Sequence, residues 1–232
     1  MSESPGIEPQ APAPRVRDMP APRKTTGVFG PALRFVFTWP YRAVLAGLYR
    51  AGVRPWQLTV ASLVANVVVG WLLLTGRRFL PGALLILAGL FDVFDGAVAR
   101  LRGEDRRAGA FLDSVLDRIG DMVLFGCLYW SEQGQGHDLA AALALVTLVT
   151  ALTVSHVRAE AEAAGIQLSK GFFQRLERYV AMTVVLMVPR ALVPMLVVLV
   201  ALGGATLLQR AWSALRRLSR PTQDQRWQDG QK

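Results

Sequence analysis

Hydrophobic and polar positions divide the chain into long apolar runs separated by short polar segments. About 20 apolar residues in a helix cross the hydrocarbon core of a bilayer. The runs that approach this length lie near residues 58–75, 79–100, 109–130, 139–157, 176–189 and 191–208. We therefore predict an all-α, polytopic membrane protein with six transmembrane helices. The fifth run is short and begins among charged residues, so its start is the least defined boundary.

The segment before the first run has an amphipathic pattern. Between residues 29 and 52, apolar side chains recur at helical spacing, and Arg34, Arg42 and Arg50 follow one another every eight residues. Three arginines in lipid would be too costly for a seventh span, so the pattern favours a helix that lies on the membrane surface. Pro40 falls inside this helix, and we expect a break there.

These patterns divide the chain into four parts. Residues 1–27 form a proline-rich leader, predicted to be disordered, without the apolar core of a signal peptide. Residues 28–54 form the interfacial helix, residues 55–212 the six-helix domain, and residues 213–232 a basic cytoplasmic tail. Cys127 is the one cysteine in the chain and lies in an apolar run, which excludes a disulfide framework.

The net charge of +9 indicates the orientation in the membrane. If both termini face the cytoplasm, only Arg77, Arg78 and Arg190 among the basic residues lie outside, as the positive-inside rule requires. The positive charge is spread over every inner loop, which argues against a nucleic-acid-binding stripe. We predict a multi-pass protein of the cell (inner) membrane whose partners are the lipid bilayer and its substrates, with no nucleic acid.

Four carboxylates interrupt the apolar runs: Asp92, Asp95, Asp113 and Asp117. Each costs roughly 2.5 kcal/mol or more to insert into a bilayer, so four together indicate a functional site. If one helix ends near residue 100 and the next begins near residue 109, the helical rise places Asp92 and Asp117 about 12 Å from the same membrane face, and Asp95 and Asp113 about 7 Å from it. A cation between them would relieve their repulsion, and hard oxygen ligands favour Mg²⁺, Mn²⁺ or Ca²⁺.

The carboxylates belong to a longer motif. It reads Asp92-Val-Phe-Asp95-Gly96-Ala-Val-Ala-Arg100, then eight residues, then Gly109-Ala-Phe-Leu-Asp113-Ser-Val-Leu-Asp117. This resembles the signature of the CDP-alcohol phosphatidyltransferase family, with every fixed position filled, and the resemblance covers roughly residues 50–212. It implies an enzyme of phospholipid synthesis, expected to be a homodimer, that transfers a phosphatidyl group from CDP-diacylglycerol to a polar alcohol and releases CMP at the cytoplasmic face.

The resemblance also implies roles for individual residues. The four aspartates would hold Mg²⁺ or Mn²⁺, as two ions, with Asp117 serving as the general base or sharing in ligation. The residues expected to bind CDP-diacylglycerol are Thr59, Asp92, Gly96, Arg100, Gly109 and Asp113. Thr59 belongs to a segment that resembles the family's P-N-x-L-T element, with Trp56 in place of the asparagine. The plainer alternatives are close helix packing for the two glycines and a topology anchor for Arg100. For Asp121 and Arg118 we favour an intrahelical or interhelical ion pair over a catalytic role.

The second half of the chain resembles the phosphatidylinositol-phosphate synthase branch of this family. There, basic residues at the inner helix ends bind the phosphate of the acceptor, and the matching positions are Arg158, Arg175, Arg178 and Arg210. Glu160 stands where an arginine is usual, and Leu176 where a proline is usual. We therefore predict a phosphorylated polyol, inositol phosphate, as the acceptor. The alternatives are glycerol 3-phosphate as acceptor, arginines that act only as topology anchors, and a divalent-cation transporter.

Overall fold

Every regular element in the described part of the chain is helical, as predicted. The computed structural model describes residues 16–20, 30–103, 107–166, 168 and 175–219. The α-helices are α1 (Gly30–Arg50), α2 (Pro55–Leu74), α3 (Phe79–Arg102), α4 (Arg107–Gly134), α5 (Asp138–Ala163), α6 (Arg175–Met187) and α7 (Leu192–Leu218). Two 3-10 turns, Val16–Asp18 and Pro189–Ala191, complete the described elements.

Local sequence signals set the ends of α2 and α3. Pro55 opens α2, where its missing N–H costs nothing, and the backbone N–H of Arg54 donates to Gln57 Oε1 at 2.8 Å. The helix α3 ends at Gly103, whose φ of 63° is the left-handed conformation that glycine adopts most readily. These signals place the Asp92 motif in the last turns of α3.

Four of the helices are long and apolar enough to cross a membrane: α2, α3, α5 and α7. The predicted count of six spans is therefore confirmed only for these four. The helix α4 has 28 residues, but its charged side chains lower its hydropathy, and α6 has only 13 residues. Large apolar side chains on the outer faces of the spans, such as Val64, Trp71 and Val149, are exposed, which suits a surface in contact with lipid.

The helices pack as a bundle around one apolar core. α2 contacts α3 and α4, α5 contacts α4 and α7, and α6 lies against α3. The core includes Leu85 from α3, Phe125 from α4, Met182 from α6 and Leu196 from α7, each at most 1% exposed. This arrangement brings the Asp92 end of α3 beside the first turns of α4.

The opposite end of the bundle is closed by a small polar cluster. Arg78, just before α3, donates to Glu132 near the end of α4 at 2.6 Å, and His137 Nδ1 lies 2.9 Å from the second oxygen of Glu132. Glu132 is only 1% exposed. Arg78 lies just before α3 and His137 just before α5, so their contacts with Glu132 hold the adjoining ends of α3, α4 and α5 together.

The helix α1, which was predicted to lie on the membrane surface, is continuous, so the predicted break at Pro40 was wrong. Proline removes one backbone hydrogen bond, and a helix of 21 residues that is also packed at Leu45 and Ala46 tolerates this loss. Part of the leader expected to be disordered is also packed: Met19 is 1% exposed and joins a cluster with Leu45 and Phe94. The tail beyond residue 219 and residues 1–15 lie outside the described residues.

Candidate active site

Three of the four motif carboxylates converge in the space between α3 and α4. One oxygen each of Asp92, Asp95 and Asp113 lies within 4.8 Å of the other two. Asp95 is 6% exposed, and its Oδ2 is buried with no hydrogen-bond partner among the described residues. A buried carboxylate oxygen of this kind needs a cation or a donor. The cluster, all hard oxygen ligands, therefore fits a Mg²⁺ or Mn²⁺ ion.

Thr59 on α2 lies beside this cluster. Thr59 is 8% exposed, its hydroxyl donates to the Pro55 carbonyl at 3.2 Å, and it lines a small pocket with Asp92 and Asp117. The structure thus places Thr59 near motif aspartates, and its contact with CDP-diacylglycerol stays a prediction. Trp56, which replaces the usual asparagine, is 52% exposed one turn earlier.

Arg100 folds back along α3 towards Gly96. A Cβ atom at Gly96 would lie 3.2 Å from Arg100 Nη1, so the missing side chain of Gly96 leaves room for the guanidinium. Arg100 also lies beside Tyr41 of α1, whose ring stacks on Phe94 at a centroid distance of 5.2 Å. Burial raises the pKa of the Tyr41 hydroxyl, and the positive charge of Arg100 opposes that rise. Helix α1 is therefore in contact with a motif residue.

Gly109 lies in the first turn of α4, one turn before Asp113. It is exposed, and a Cβ at this position would meet no described atom within 4 Å. Close helix packing therefore does not explain this glycine among the described residues. Its expected contact with CDP-diacylglycerol stays a prediction.

A polar cavity of about 570 Å³ opens from the carboxylate cluster between α4, α5, α6 and α7. Its charged lining residues are Asp113, Asp117, Arg118, Asp121, Arg158, Glu162, Arg178 and Arg210. Asp113 also belongs to the carboxylate cluster, so the cavity and the cluster share a wall. Asp117 lies on the cavity wall and also lines a small pocket with Asp92 and Thr59. Its role as general base, as metal ligand or as both stays a prediction.

Two of the predicted arginines are buried in this cavity. Arg178 donates from Nη2 to Asp121 Oδ2 at 2.6 Å, and Arg210 donates from Nη1 to the Val154 carbonyl at 3.1 Å. Arg158 lies at the exposed rim, where its Nε donates to Glu162 at 2.7 Å. The side chain of Arg175, the fourth candidate, lies outside the described residues.

Comparison with known proteins places the chain in a family. The family model for CDP-alcohol phosphatidyltransferase matches residues 53–211, more than half of the chain. The chain belongs to this family. A phosphatidylinositol phosphate synthase of Mycobacteroides abscessus is 36% identical over 137 residues, which are 58% of this chain and 62% of that protein. The chain thus spans less than two thirds of that relative. A phosphatidylinositol phosphate synthase of Streptomyces avermitilis is 32% identical over 84% of this chain and 87% of its own length.

Solved structures of phosphatidyltransferases from Mycobacterium tuberculosis share the fold. The phosphatidylinositol phosphate synthase of that organism with CDP-DAG bound superposes with a TM-score of 0.67 at 31% identity, covering 74% of this chain and 92% of that one. The same enzyme in complex with manganese and citrate gives a TM-score of 0.67 at 30% identity, over 75% of this chain and 88% of that one. The resemblance found in the motif is thereby confirmed for both family and branch.

Sequence reasoning did not assign Asp121 and Arg118 to the lining of this cavity. It predicted an ion pair for Asp121, and the pair with Arg178 confirms that prediction. Arg118 instead donates to Ser114 Oγ at 2.6 Å and to the Ser155 carbonyl at 3.4 Å. The available signal was spacing: Asp113, Asp117 and Asp121 follow one another every four residues and so share one helix face.

Proposed function

We propose that this protein transfers a phosphatidyl group from CDP-diacylglycerol to a phosphorylated polyol, with inositol phosphate as the first candidate, and releases CMP. The observation that carries the proposal is the 570 Å³ cavity, which joins Asp113 and Asp117 to the buried arginines Arg178 and Arg210. Such an acceptor has a hydroxyl at one end, which would face an aspartate, and a phosphate at the other end, which would bind the two guanidinium groups. Glycerol 3-phosphate, a shorter molecule with the same ends, is the second candidate.

The nucleotide side of the site is built on α2, α3 and the start of α4. Asp92, Asp95 and Asp113 would hold one or two Mg²⁺ or Mn²⁺ ions. A divalent cation held there would neutralise the diphosphate and stabilise the charge of the departing CMP. Thr59 would contact the nucleotide, and Arg100 would reach a phosphate oxygen with its guanidinium. Gly96 and Gly109 would let the substrate approach the helix backbones closely.

On the acceptor side, Asp117 would act as the general base. Its carboxylate takes the proton of the acceptor hydroxyl while that oxygen bonds to the phosphorus of the phosphatidyl group. The bond from this phosphorus to the CMP phosphate oxygen breaks, and CMP leaves with the electron pair. Arg178 and Arg210 would hold the phosphate of the acceptor, so that its free hydroxyl faces Asp117. Arg158 would attract the anion at the rim, and Arg175 is a further candidate for binding that phosphate.

The proposed setting is the cell (inner) membrane. We place both termini and the site on the cytoplasmic side, with α4 and α6 completing six spans beside the four candidate spans. The charge distribution supports this orientation, because the described basic residues at the opposite end of the bundle are few. We keep the division into leader, interfacial helix, six-helix domain and tail, and we propose a homodimer as the working assembly.

The test is a comparison of acceptors with purified protein. CDP-diacylglycerol and Mn²⁺ or Mg²⁺ are supplied with inositol phosphate, glycerol phosphate, inositol or serine, and both CMP and the lipid product are measured. We expect inositol phosphate to give the highest kcat/KM, glycerol phosphate to follow, and the two unphosphorylated alcohols to react least. Preference for an unphosphorylated alcohol, with normal use of it by Arg178→Ala and Arg210→Ala variants, would refute the proposal.

A further inference from the structure

A buried ion pair joins α4 to α6 in the wall of the cavity. The side chains of Arg178 and Asp121 are 9% and 4% exposed, and Arg178 Nη2 lies 2.6 Å from Asp121 Oδ2. Buried ion pairs contribute little to stability, because both charges lose their hydration, and well-packed apolar residues often replace them without cost. The pair lies in the wall of a polar cavity, which favours a role in binding over a role in stability.

The contact with Asp121 uses one of the three guanidinium nitrogens of Arg178. Only Nη2 is used by Asp121, and Arg178 Nε is buried with no hydrogen-bond partner among the described residues. Arg210, which lines the same cavity, shows the same arrangement: one terminal nitrogen donates to Val154, and Nε is buried without a partner in the described part of the chain. Guanidinium groups bind phosphate best through two parallel N–H donors, which need a fixed orientation.

We infer that Asp121 is a positioning residue that orients Arg178 towards the phosphate of the acceptor. The inference rests on the proposed function. A free arginine side chain loses much rotational freedom when it closes on an anion, and this loss weakens binding. Arg178 loses that freedom on folding instead, because Asp121 already holds it. The negative charge of Asp121 alone would repel a phosphate, so its benefit must come through the orientation of Arg178.

The competing explanation is that Asp121 only anchors α6. Tyr179, the residue after Arg178, provides a control. Tyr179 donates from its hydroxyl to Asn66 Oδ1 of α2 at 2.9 Å, so α6 is held by a second buried contact that does not involve the cavity lining. If Asp121 only held α6 in place, loss of the Tyr179 contact should have a similar effect on acceptor binding. If Asp121 orients Arg178, the two losses should differ.

The experiment is steady-state kinetics with inositol phosphate on four variants: Asp121→Asn, Asp121→Glu, Arg178→Ala and Tyr179→Phe. In Asp121→Asn the charge-assisted bond is lost, so we expect the acceptor KM to rise about tenfold, the change that loss of about 1.4 kcal/mol of binding produces. The kcat at saturating acceptor and the KM for CDP-diacylglycerol should stay within about twofold. Asp121→Glu, which keeps the charge one methylene farther out, should raise the acceptor KM less.

Tyr179→Phe should lower the melting temperature while leaving the acceptor KM near that of the unmodified protein. An acceptor KM raised equally by Tyr179→Phe would show that Asp121 only anchors α6. An unchanged or lowered acceptor KM in Asp121→Asn, together with a raised one in Arg178→Ala, would overturn the inference and leave the proposed function intact. An Arg178→Ala variant with a normal acceptor KM would instead contradict the proposed acceptor pocket itself. Should Asp121→Asn not fold, Asp121→Glu decides by the same criterion.

Discussion

Replacing Asp95 by asparagine should separate catalysis from folding. The Asp95 carboxylate is 6% exposed, and its nearest approach to those of Asp92 and Asp113 is within 4.8 Å. Two full charges at 4.8 Å repel by about 3.5 kcal/mol at an effective dielectric constant of about 20. Asp95→Asn removes two of the three repulsions in the cluster. Without divalent ions, the variant should therefore melt at a higher temperature than the unmodified protein.

Divalent ions should reverse this order. With Mn²⁺ present, the unmodified protein gains stability from binding, whereas Asp95→Asn has lost a charged ligand and should gain little. Its activity should fall by about two to three powers of ten, the loss that follows removal of one strong electrostatic contact to a transition state. The assays are thermal melting with and without Mn²⁺, and release of CMP from CDP-diacylglycerol.

Asp138→Asn is the matched control. Asp138 is an exposed acid at the opposite end of the bundle, where it accepts a hydrogen bond from Gln133 at 3.0 Å. This variant should keep both its activity and its response to Mn²⁺. The reasoning would be refuted by full activity in Asp95→Asn, or by an equal Mn²⁺-induced rise in melting temperature in Asp95→Asn and the unmodified protein.

Three further predictions concern other parts of the molecule. Asp117→Asn should bind CDP-diacylglycerol and Mn²⁺ almost normally but lose turnover; a matching loss of Mn²⁺ affinity in titration would show that Asp117 is mainly a ligand. Glu132→Ala should destabilise the protein by about 3–5 kcal/mol, seen as a lower melting temperature, because Arg78 loses its buried partner; an unchanged melting temperature would argue against this. At Gly203 a Cβ would lie 2.8 Å from Thr150 Cγ2, so Gly203→Ala should destabilise the protein by about 1–3 kcal/mol. Adding Thr150→Ser, which removes that methyl group, should bring the melting temperature back towards that of the unmodified protein.

The carboxylate cluster could be predicted from the sequence because its geometry is local. The spacing of three and four residues fixes each pair on one face of its helix, and a short turn brings the two helices together at matching depth. The same reasoning reached the four strongly apolar spans. It also predicted spans over α4 and α6, which are not among the four candidate spans. In α4 the charged residues that form the site lower the hydropathy by which a span is recognised.

Contacts between distant parts of the chain could not be predicted in the same way. The partner of Asp121 lies 57 positions away, on a helix of 13 residues whose placement depends on the packing of the whole bundle. An ion pair was expected at Asp121. Charge alone did not show whether its partner is Arg178 or Arg118, which lies three residues before Asp121. Helical periodicity tells which residues share a face, and only the packing tells which face meets which.

The burial of Met19 has a practical consequence for the production of this protein. Because Met19 is 1% exposed among side chains that include Leu45 and Phe94, a shortened chain that starts after residue 20 would leave an apolar hollow beneath α1. Purification tags and truncations are therefore better placed before residue 16. A preparation that lacks the proline-rich segment should be judged by its melting behaviour before its catalytic constants are interpreted.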